Sequence, residues 1–186
     1  MLKKFFIKTV KGVLKEMDVK TYIRDVPDFP TEGVVFKDIT PLLKNPEAFN
    51  YVIDKMTEFV KEFNPDIIVA AEARGFIFAS PISYKLGIGF VPIRKPGKLP
   101  YFTVSEEYFL EYAKEKIEMH VDAIDPDDKV VIVDDILATG GTALAMSHLV
   151  EKLGGIVVGM VFLGELSFLN PREKLKGYEI KSIITY

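Results

Sequence analysis

The segment Val130–Thr142 constrains the fold of this chain more than any other. Its first four residues are apolar and β-branched, as in a strand that is buried on both faces of a parallel sheet. Asp134 and Asp135 follow this run, and then Gly140 and Gly141 allow the backbone to turn before a helical pattern begins. Ligands of open α/β sheets bind beyond the carboxyl ends of the strands. The segment therefore predicts an α/β fold and the edge of the sheet at which a site lies.

The rest of the chain supports this fold class. A helix with apolar residues at 3.6 spacing begins at Asn45-Pro46, and two strand–helix–strand units follow it. They predict a central, mostly parallel sheet flanked by helices, and 186 residues suit a single domain, 1–186. The predicted units are Asp66–Ala71, Phe76–Leu86 and Phe90–Ile93, and then Lys129–Val133, Thr142–Leu153 and Ile156–Phe162.

Three segments do not fit these units. Residues 1–21 predict an amphipathic N-terminal helix that packs on the domain or on a partner subunit, or that binds a membrane surface through its lysines. Residues 22–41 are rich in Pro and Gly and predict an irregular loop over the surface. Residues 95–116 combine aromatic and charged side chains with weak periodicity, which predicts either a surface hairpin or a mobile cover over the site.

Composition excludes several classes of function. The net charge of -3 argues against a nucleic-acid binder that uses a basic face. No apolar run is long enough to cross a bilayer. The chain has no cysteine, which excludes disulfides, thiolate catalysis and cysteine-based zinc sites and fits a reducing cytoplasm.

The loop after the Val130–Val133 strand has the chemistry of a phosphate site. Its two glycines expose backbone N–H groups, Thr139 and Thr142 add hydroxyl donors, and the following helix begins with free amides. Two carboxylates beside a phosphate make sense if they accept hydrogen bonds from sugar hydroxyls or hold a metal. The lysine of a P-loop and the GxGxxG dinucleotide pattern are both missing. These residues predict a site for a phosphorylated, hydroxyl-bearing small molecule.

The same stretch resembles the phosphoribosyl diphosphate (PRPP) motif of the type I phosphoribosyltransferases, which is an apolar run, two acids and Ala-Thr-Gly-Gly-Thr. The resemblance implies the type I phosphoribosyltransferase fold, with a small N-terminal hood and a flexible catalytic loop. It also implies that Asp134 and Asp135 engage the ribose hydroxyls of PRPP. The residues implied to hold the 5-phosphate are Ala138, Thr139, Gly140, Gly141 and Thr142.

Further stretches between residues 22 and 186 resemble the adenine phosphoribosyltransferases, one branch of this family. Two departures occur: Ala73 stands where Ser is frequent, and Lys37 stands where some members carry Arg. The matching stretches are Arg24–Pro30 and Gly33–Thr40 (hood), Ala73–Phe76 (pyrophosphate loop), Arg94–Pro100 and Leu110–Tyr112 (catalytic loop), and Glu165–Leu166 and Arg172–Leu175 (C-terminal region).

The resemblance implies a reaction that joins adenine N9 to the ribose C1 of PRPP, with release of pyrophosphate and formation of AMP. Positive charge develops on the sugar and negative charge on the leaving group, so we expect Arg74 and Mg²⁺ to stabilise the pyrophosphate. Magnesium prefers substrate oxygens and water, and we expect few direct protein ligands. The residues expected around the pyrophosphate are Ala71, Glu72, Ala73, Arg74, Gly75, Arg94, Lys95 and Lys98.

The base requires a flat apolar slot with polar groups at its rim. For Phe36, ordinary core packing is the alternative to a place in this slot. Glu111 is the candidate to handle the proton at adenine N7, and its alternative is a solvated loop acid; Tyr112 would close the lid beside it. The residues expected around adenine are Val35, Phe36, Lys37, Ile136 and Leu137.

Two other functions stay open at this point. One is transfer to xanthine, hypoxanthine or guanine, although the hood stretch resembles the adenine type. The other is a PRPP-sensing transcriptional regulator, although residues 1–21 are too short for a helix-turn-helix. The resemblance also implies a homodimer.

Overall fold

A computed structural model describes residues 17–109 and 114–186 of the chain. Its helices, in chain order, are α1 (Thr40–Lys44), α2 (Pro46–Glu62), α3 (Arg74–Leu86), α4 (Gly141–Lys152) and α5 (Pro171–Lys174). Its strands are β1 (Arg24–Pro27), β2 (Val35–Asp38), β3 (Ile67–Ala71), β4 (Gly89–Ile93), β5 (Thr103–Phe109), β6 (Lys114–His120), β7 (Lys129–Leu137), β8 (Ile156–Glu165) and β9 (Ile180–Thr185).

The centre of the molecule is a sheet of five parallel strands in the order β4-β3-β7-β8-β9. This confirms the predicted α/β class. The strand at Ile180–Thr185 was not predicted, and β7 runs past its predicted end at Val133 to Leu137. The extension arises because β8 has ten residues and pairs with β7 as far as Leu137 and Glu165. The acid pair therefore lies within a strand rather than in the loop after it.

Helices cover both faces of the sheet. On one face α2 and α3 bury a core that includes Val52, Met56 and Phe78. On the other face α4 packs with the β5–β6 hairpin, and Met146 and Met119 are buried there. The α2 helix begins where predicted, since the Asn45 side chain accepts a hydrogen bond from the Ala48 amide at 3.0 Å.

The order of the strands creates a crevice between β3 and β7. After β3 the chain passes through α3 to β4, which lies on one side of β3. After β7 it passes through α4 to β8, which lies on the opposite side of β7. Two neighbouring strands whose connections diverge in this way form a topological switch point, at which α/β proteins bind ligands. The pyrophosphate loop predicted after β3 and the PRPP motif in and after β7 meet at this point.

The hood, residues 22–41, differs from the predicted irregular loop. Its strands β1 and β2 form an antiparallel ribbon with Arg24 opposite Asp38. The strands are short and the Pro and Gly residues around them obscure the pattern. The turn between them is held by Asp28, whose Oδ1 accepts a hydrogen bond from the Gly33 amide at 2.8 Å.

Residues 103–109 and 114–120 form an antiparallel hairpin, one of the two alternatives predicted for residues 95–116. Ile117 and Met119 on β6 are buried, so the base of the hairpin packs on the body of the domain. The remaining domain boundaries stay predictions. Of the predicted N-terminal helix, residues 1–16 lie outside the described residues, and Val19–Tyr22 form one turn of 3-10 helix. None of the helices within residues 17–109 and 114–186 is long and apolar enough to cross a membrane.

Candidate active site

A cleft of about 270 Å³ lies at the switch point and brings most of the predicted site together. Its predicted lining residues are Ala71, Glu72, Ala73, Arg74, Lys95, Asp134, Asp135, Ile136, Leu137, Ala138, Thr139, Gly140, Gly141 and Thr142. Ile93, Tyr108, Ile117, Ala143 and Phe162 also line it and were not predicted. The sequence thus identified both loops of the cleft but missed the walls supplied by β4, β5, β6 and β8.

The acid pair lies at the centre of the cleft. Asp135 is 2% exposed and its Oδ2 lies 2.8 Å from Arg74 Nε, while Asp134 Oδ1 accepts a hydrogen bond from the Asp135 amide at 2.9 Å. Burial, and then the neighbouring Asp135 carboxylate, raise the pKa of Asp134 well above its usual value. Burial also raises the pKa of Asp135, against the opposing effect of Arg74. A bound sugar can relieve this cost by donating its hydroxyls to the carboxylates.

Residues 138–142, called the PRPP loop below, supply donors beside these acids. Gly140 has φ +80°, a left-handed conformation that glycine adopts without strain, and α4 begins at the next residue. The first amides of a helix have no intrahelical acceptor, and they carry the positive end of the helix dipole. The Thr142 hydroxyl lies 3.4 Å from the hydroxyl of Tyr108 on β5. The loop can therefore surround a phosphate group with N–H and O–H donors.

The first turn of α3 approaches the end of β7 closely at Gly75. A Cβ atom at this position would lie 2.9 Å from Asp134 Oδ1 and 3.2 Å from the Val133 carbonyl oxygen. Glycine is therefore required for α3 to start against β7. This packing places Arg74, the first residue of α3, on the acid pair.

Glu72 connects the pyrophosphate loop to residues 94–98. Its carboxylate accepts hydrogen bonds from Arg94 Nη2 at 3.0 Å and from the Lys95 amide at 2.5 Å. Burial tends to raise the pKa of Glu72, but these donors outweigh it and the pKa is lowered. Arg94 also donates to the Lys98 carbonyl at 3.4 Å. Lys95 lines the cleft, whereas Arg94 and Lys98 do not belong to its lining.

The residues predicted around adenine are divided between two places. Ile136 and Leu137 line the cleft. Phe36 reaches it through Arg74, whose guanidinium carbon lies 5.1 Å from the Phe36 ring centroid. Val35 is 48% exposed, and Lys37 extends to Asp25, where the two side chains form an ion pair at 2.7 Å. The hood thus contacts Arg74 of the cleft through the Phe36 ring.

Glu111 and Tyr112 lie outside the described residues. Tyr108, which was missed, lines the cleft from the hairpin that leads toward them. The sequence held no signal for it, because nothing local distinguishes it from the neighbouring aromatic residues.

A magnesium ion fits this chemistry in part. The described residues contain no cluster of three or more His, Asp or Glu that could hold a metal ion. Asp135 Oδ2, however, is buried and accepts no hydrogen bond of good geometry from the described residues, and it lies beside a second carboxylate. Such oxygens suit Mg²⁺ when substrate and water provide most of its ligands.

A parallel sheet with an acid pair and two loops at its switch point is the arrangement of a phosphoribosyltransferase. The family model described as "Phosphoribosyl transferase domain" matches residues 38–176. The adenine phosphoribosyltransferase of Kosmotoga olearia is 61% identical over 170 residues, which cover 91% of this chain and 100% of that protein. That of Thermotoga maritima is 59% identical over 171 residues, covering 92% and 99%.

Solved structures agree with these relatives. The adenine phosphoribosyltransferase of Thermoanaerobacter pseudethanolicus superposes with a TM-score of 0.88 at 54% identity and covers 90% of this chain and 98% of its own. The Saccharomyces cerevisiae enzyme, complexed with an imino-altritol bisphosphate and adenine, gives 0.84 at 39% identity and covers 88% and 95%. The chain belongs to the adenine phosphoribosyltransferase family.

Proposed function

We propose that this chain transfers the phosphoribosyl group of PRPP to adenine N9, giving AMP and pyrophosphate in purine salvage. The observation that carries the proposal is the contact of Arg74 Nε with Asp135 Oδ2 at 2.8 Å, between the loop after β3 and the loop after β7. This arrangement suits a substrate with a phosphate at one end, a pyrophosphate at the other and hydroxyls between them. The names of the relatives and the adenine bound to the yeast enzyme favour adenine as the base.

In this proposal the end of β7 and the PRPP loop hold the sugar and its 5-phosphate. Asp134 and Asp135 accept hydrogen bonds from the two ribose hydroxyls, and residues 138–142 donate to the 5-phosphate. Fixing C1 in line with the incoming nitrogen is itself a large part of catalysis, since well-oriented reactants gain roughly 7–11 kcal/mol from positioning alone.

The β3 loop and the residues near it receive the leaving group. Arg74 lies next to the acid pair and would donate to the pyrophosphate as negative charge grows on it. Lys95 lines the cleft and provides a second cation, and Arg94 and Lys98 would join them once pyrophosphate competes for the Arg94 guanidinium. Asp135, together with oxygens of the substrate, would hold Mg²⁺, which would supply positive charge against the pyrophosphate.

The hood and the catalytic loop handle the base. Phe36 would stack on adenine, the backbone around Val35 and Lys37 would read its edge, and Ile136 and Leu137 would complete the slot. Glu111 would accept or donate the proton at N7, a role worth about 10²- to 10⁴-fold in rate. Tyr112 would close the loop beside it.

We also propose that the chain works as a cytoplasmic homodimer. The absence of cysteine fits a reducing compartment. Tyr84 on α3 is 88% exposed, and large exposed side chains of this kind are common at interfaces between subunits.

A purine panel tests the substrate. The protein is incubated with PRPP and Mg²⁺ and with adenine, hypoxanthine, guanine or xanthine in turn, and nucleotide formation is followed by absorbance and chromatography. The proposal expects AMP from adenine at a rate far above the others. Turnover of another base without AMP formation would contradict it, and PRPP binding without any turnover would favour the regulator.

Variants of Glu111 test the proton role. Glu111→Leu is expected to lower kcat by about 10²-fold or more while the Kd for PRPP stays near the wild-type value. Glu111→Gln keeps the shape of the side chain and loses its charge, so it should lose nearly as much activity. An unchanged kcat in both variants would remove Glu111 from this role.

A further inference from the structure

Outside the cleft, an ion pair between a buried carboxylate and a half-exposed arginine joins the end of β8 to α5. Glu165 is the last residue of β8 and is 3% exposed. Arg172 donates to it in a fork, with Nε 2.8 Å from Oε1 and Nη2 2.7 Å from Oε2, and the Ser182 hydroxyl adds a bond of 3.2 Å. These hydrogen bonds, that from Arg172 first, lower the pKa of Glu165. The pair is therefore charged and geometrically fixed.

The segment that this pair anchors is α5, which packs against the PRPP loop. The Pro171 carbonyl oxygen would lie 3.0 Å from a Cβ atom built on Gly140, and Leu175 would lie at 3.5 Å. Leu175 is buried in the same core as Leu137 and Ala143, the residues on either side of residues 138–142. The left-handed turn of the loop thus packs against the backbone of α5.

A second contact ties the same region to the base of the loop. The Leu166 amide donates to the Leu137 carbonyl at 2.9 Å, and Glu165 is paired with Leu137 in the sheet. Glu165 is therefore adjacent in the fold to the last strand residue before the loop. It does not line the cleft itself.

The ion pair satisfies a carboxylate that the fold buries, because Arg172, whose side chain is 54% exposed, offsets the desolvation cost of Glu165. The fork also provides a fixed direction and distance. The α5 helix has four residues, too few to hold its own conformation, so its position depends on such an anchor.

We propose that Glu165 and Arg172 are positioning residues for the PRPP loop, the proposed site of the 5-phosphate. By fixing α5 against Gly140, they hold the amides at the start of α4 in the geometry that binds phosphate. The inference rests on the proposed phosphoribosyl transfer for its substrate. It predicts a larger defect for the phosphorylated sugar than for adenine, because α5 packs directly on Gly140, whereas the hood approaches Glu165 through Tyr186, whose amide donates to the Glu165 carbonyl at 2.9 Å.

The test compares binding of ribose 5-phosphate and of adenine by calorimetry, together with the KM for PRPP and for adenine. Glu165→Gln breaks the charged fork, and Arg172→Lys keeps the charge but loses the second donor. We expect Glu165→Gln to weaken ribose 5-phosphate binding and raise the KM for PRPP by about tenfold, as misplacement of binding groups does. The ribose 5-phosphate affinity and the KM for PRPP of Arg172→Lys should lie between those of Glu165→Gln and wild type. Adenine binding should change less than twofold in both variants.

Glu173→Gln is the matched control. Glu173 lies on the same helix and pairs with Lys176 at 2.7 Å, but both side chains are largely exposed, at 71% and 74%. This variant should match wild type in every measurement. Parallel loss of adenine and ribose 5-phosphate binding in Glu165→Gln, or no loss in either fork variant, would overturn the inference.

The two proposals fail separately. If the wild-type protein forms no AMP yet Glu165→Gln still weakens ribose 5-phosphate binding, the positioning role stands without the adenine reaction. If AMP forms normally and ribose 5-phosphate binding does not depend on the fork, the reaction stands and the positioning role is wrong. Thermal unfolding of each variant identifies any that has lost its fold, and the milder Arg172→Lys then decides.

Discussion

The two sides of the cleft are built in different ways. The PRPP loop follows the central strand of the sheet, in which Asp135 is buried, and Pro171 and Leu175 pack against the loop at Gly140. The hood is a two-stranded ribbon outside the sheet, with Val35 and Phe29 about half exposed. The side that we propose holds the sugar is therefore set by the core of the domain, whereas the side that we propose holds the base depends on a few side-chain contacts.

Those few contacts can be named. The hood reaches the cleft through the Phe36 ring over Arg74, and it reaches the C-terminus through Lys37, whose Nζ lies 4.2 Å from the Tyr186 ring centroid. The difference suggests that substitutions on the sugar side alter stability and PRPP binding together. On the hood they should alter adenine binding with little effect on stability.

Two glycines with similar backbone conformations give the largest expected contrast. Gly140 has φ +80° and faces Pro171, while Gly33 has φ +84° and open space around it. Left-handed backbone costs an alanine about 1–2 kcal/mol. Gly140→Ala adds a close contact, and we expect a total of about 2–3 kcal/mol for it. Urea unfolding measures both variants, and equal losses would show that α5 does not confine the loop.

The ring of Phe36 provides the next test. Phe36→Ala removes the stacking surface for the base and the ring beneath Arg74, so the KM for adenine should rise about tenfold. Phe29→Ala is the control, because Phe29 touches Phe36 edge to face at 5.2 Å without lining the cleft. Its effect on the KM should be clearly smaller. If Phe36→Ala left the KM for adenine unchanged, the ring would be ordinary packing.

Asp134→Asn should separate stability from binding on the sugar side. The pKa of Asp134 is raised in the folded protein, so the folded state retains a proton that the unfolded state releases. Stability of the ligand-free protein is therefore lost as pH rises from the usual Asp range through the raised pKa. The variant should be more stable than wild type at pH 8 and equal to it near pH 4, while it binds PRPP more weakly.

The comparison of unfolding midpoints at the two pH values is the measurement for this variant. A wild-type protein that is as stable as Asp134→Asn at pH 8 would show that the carboxylate carries no burial cost.

Tyr186→Leu is expected to have the smallest effect. It removes the ring that lies under Lys37 and Lys20, and exposed cation–π contacts contribute about 0.5–1 kcal/mol. The KM for adenine should rise by about two- to fivefold, since the hood strand loses one anchor. Lys37→Arg keeps a cation over the ring and should preserve the KM. A larger rise in Lys37→Arg than in Tyr186→Leu would assign the effect to the lysine itself.

The same contrast explains how far the sequence could predict the molecule. Two uninterrupted β-branched runs, Val130–Val133 and Ile67–Val69, were sufficient to identify buried strands. The helices could be predicted from the periodicity of their apolar residues and from their caps. The β1–β2 ribbon was missed because its pairing depends on contacts across the turn at Asp28 and Gly33. The strand Ile180–Thr185 was missed because its place beside β8 is decided by the tertiary structure.

Within the site, local chemistry determined what was predictable. The Asp134-Asp135 pair and the Gly140-Gly141 turn carry their chemistry in adjacent residues. Tyr108 and the Glu165–Arg172 fork act through neighbours that are distant in sequence, and no spacing rule identifies them. Arg94 was expected at the pyrophosphate, and its pairing with Glu72 could be seen only once β3 and β4 lay side by side.

The division between a sugar side and a base side is tested most directly by measuring the binding of both ligands to one variant from each side. Binding of ribose 5-phosphate and of adenine is measured by calorimetry for wild type, Asp135→Asn and Phe36→Ala. Asp135→Asn should weaken ribose 5-phosphate by about tenfold or more and leave adenine within twofold, and Phe36→Ala should do the reverse. Equal weakening of both ligands in either variant would contradict the division.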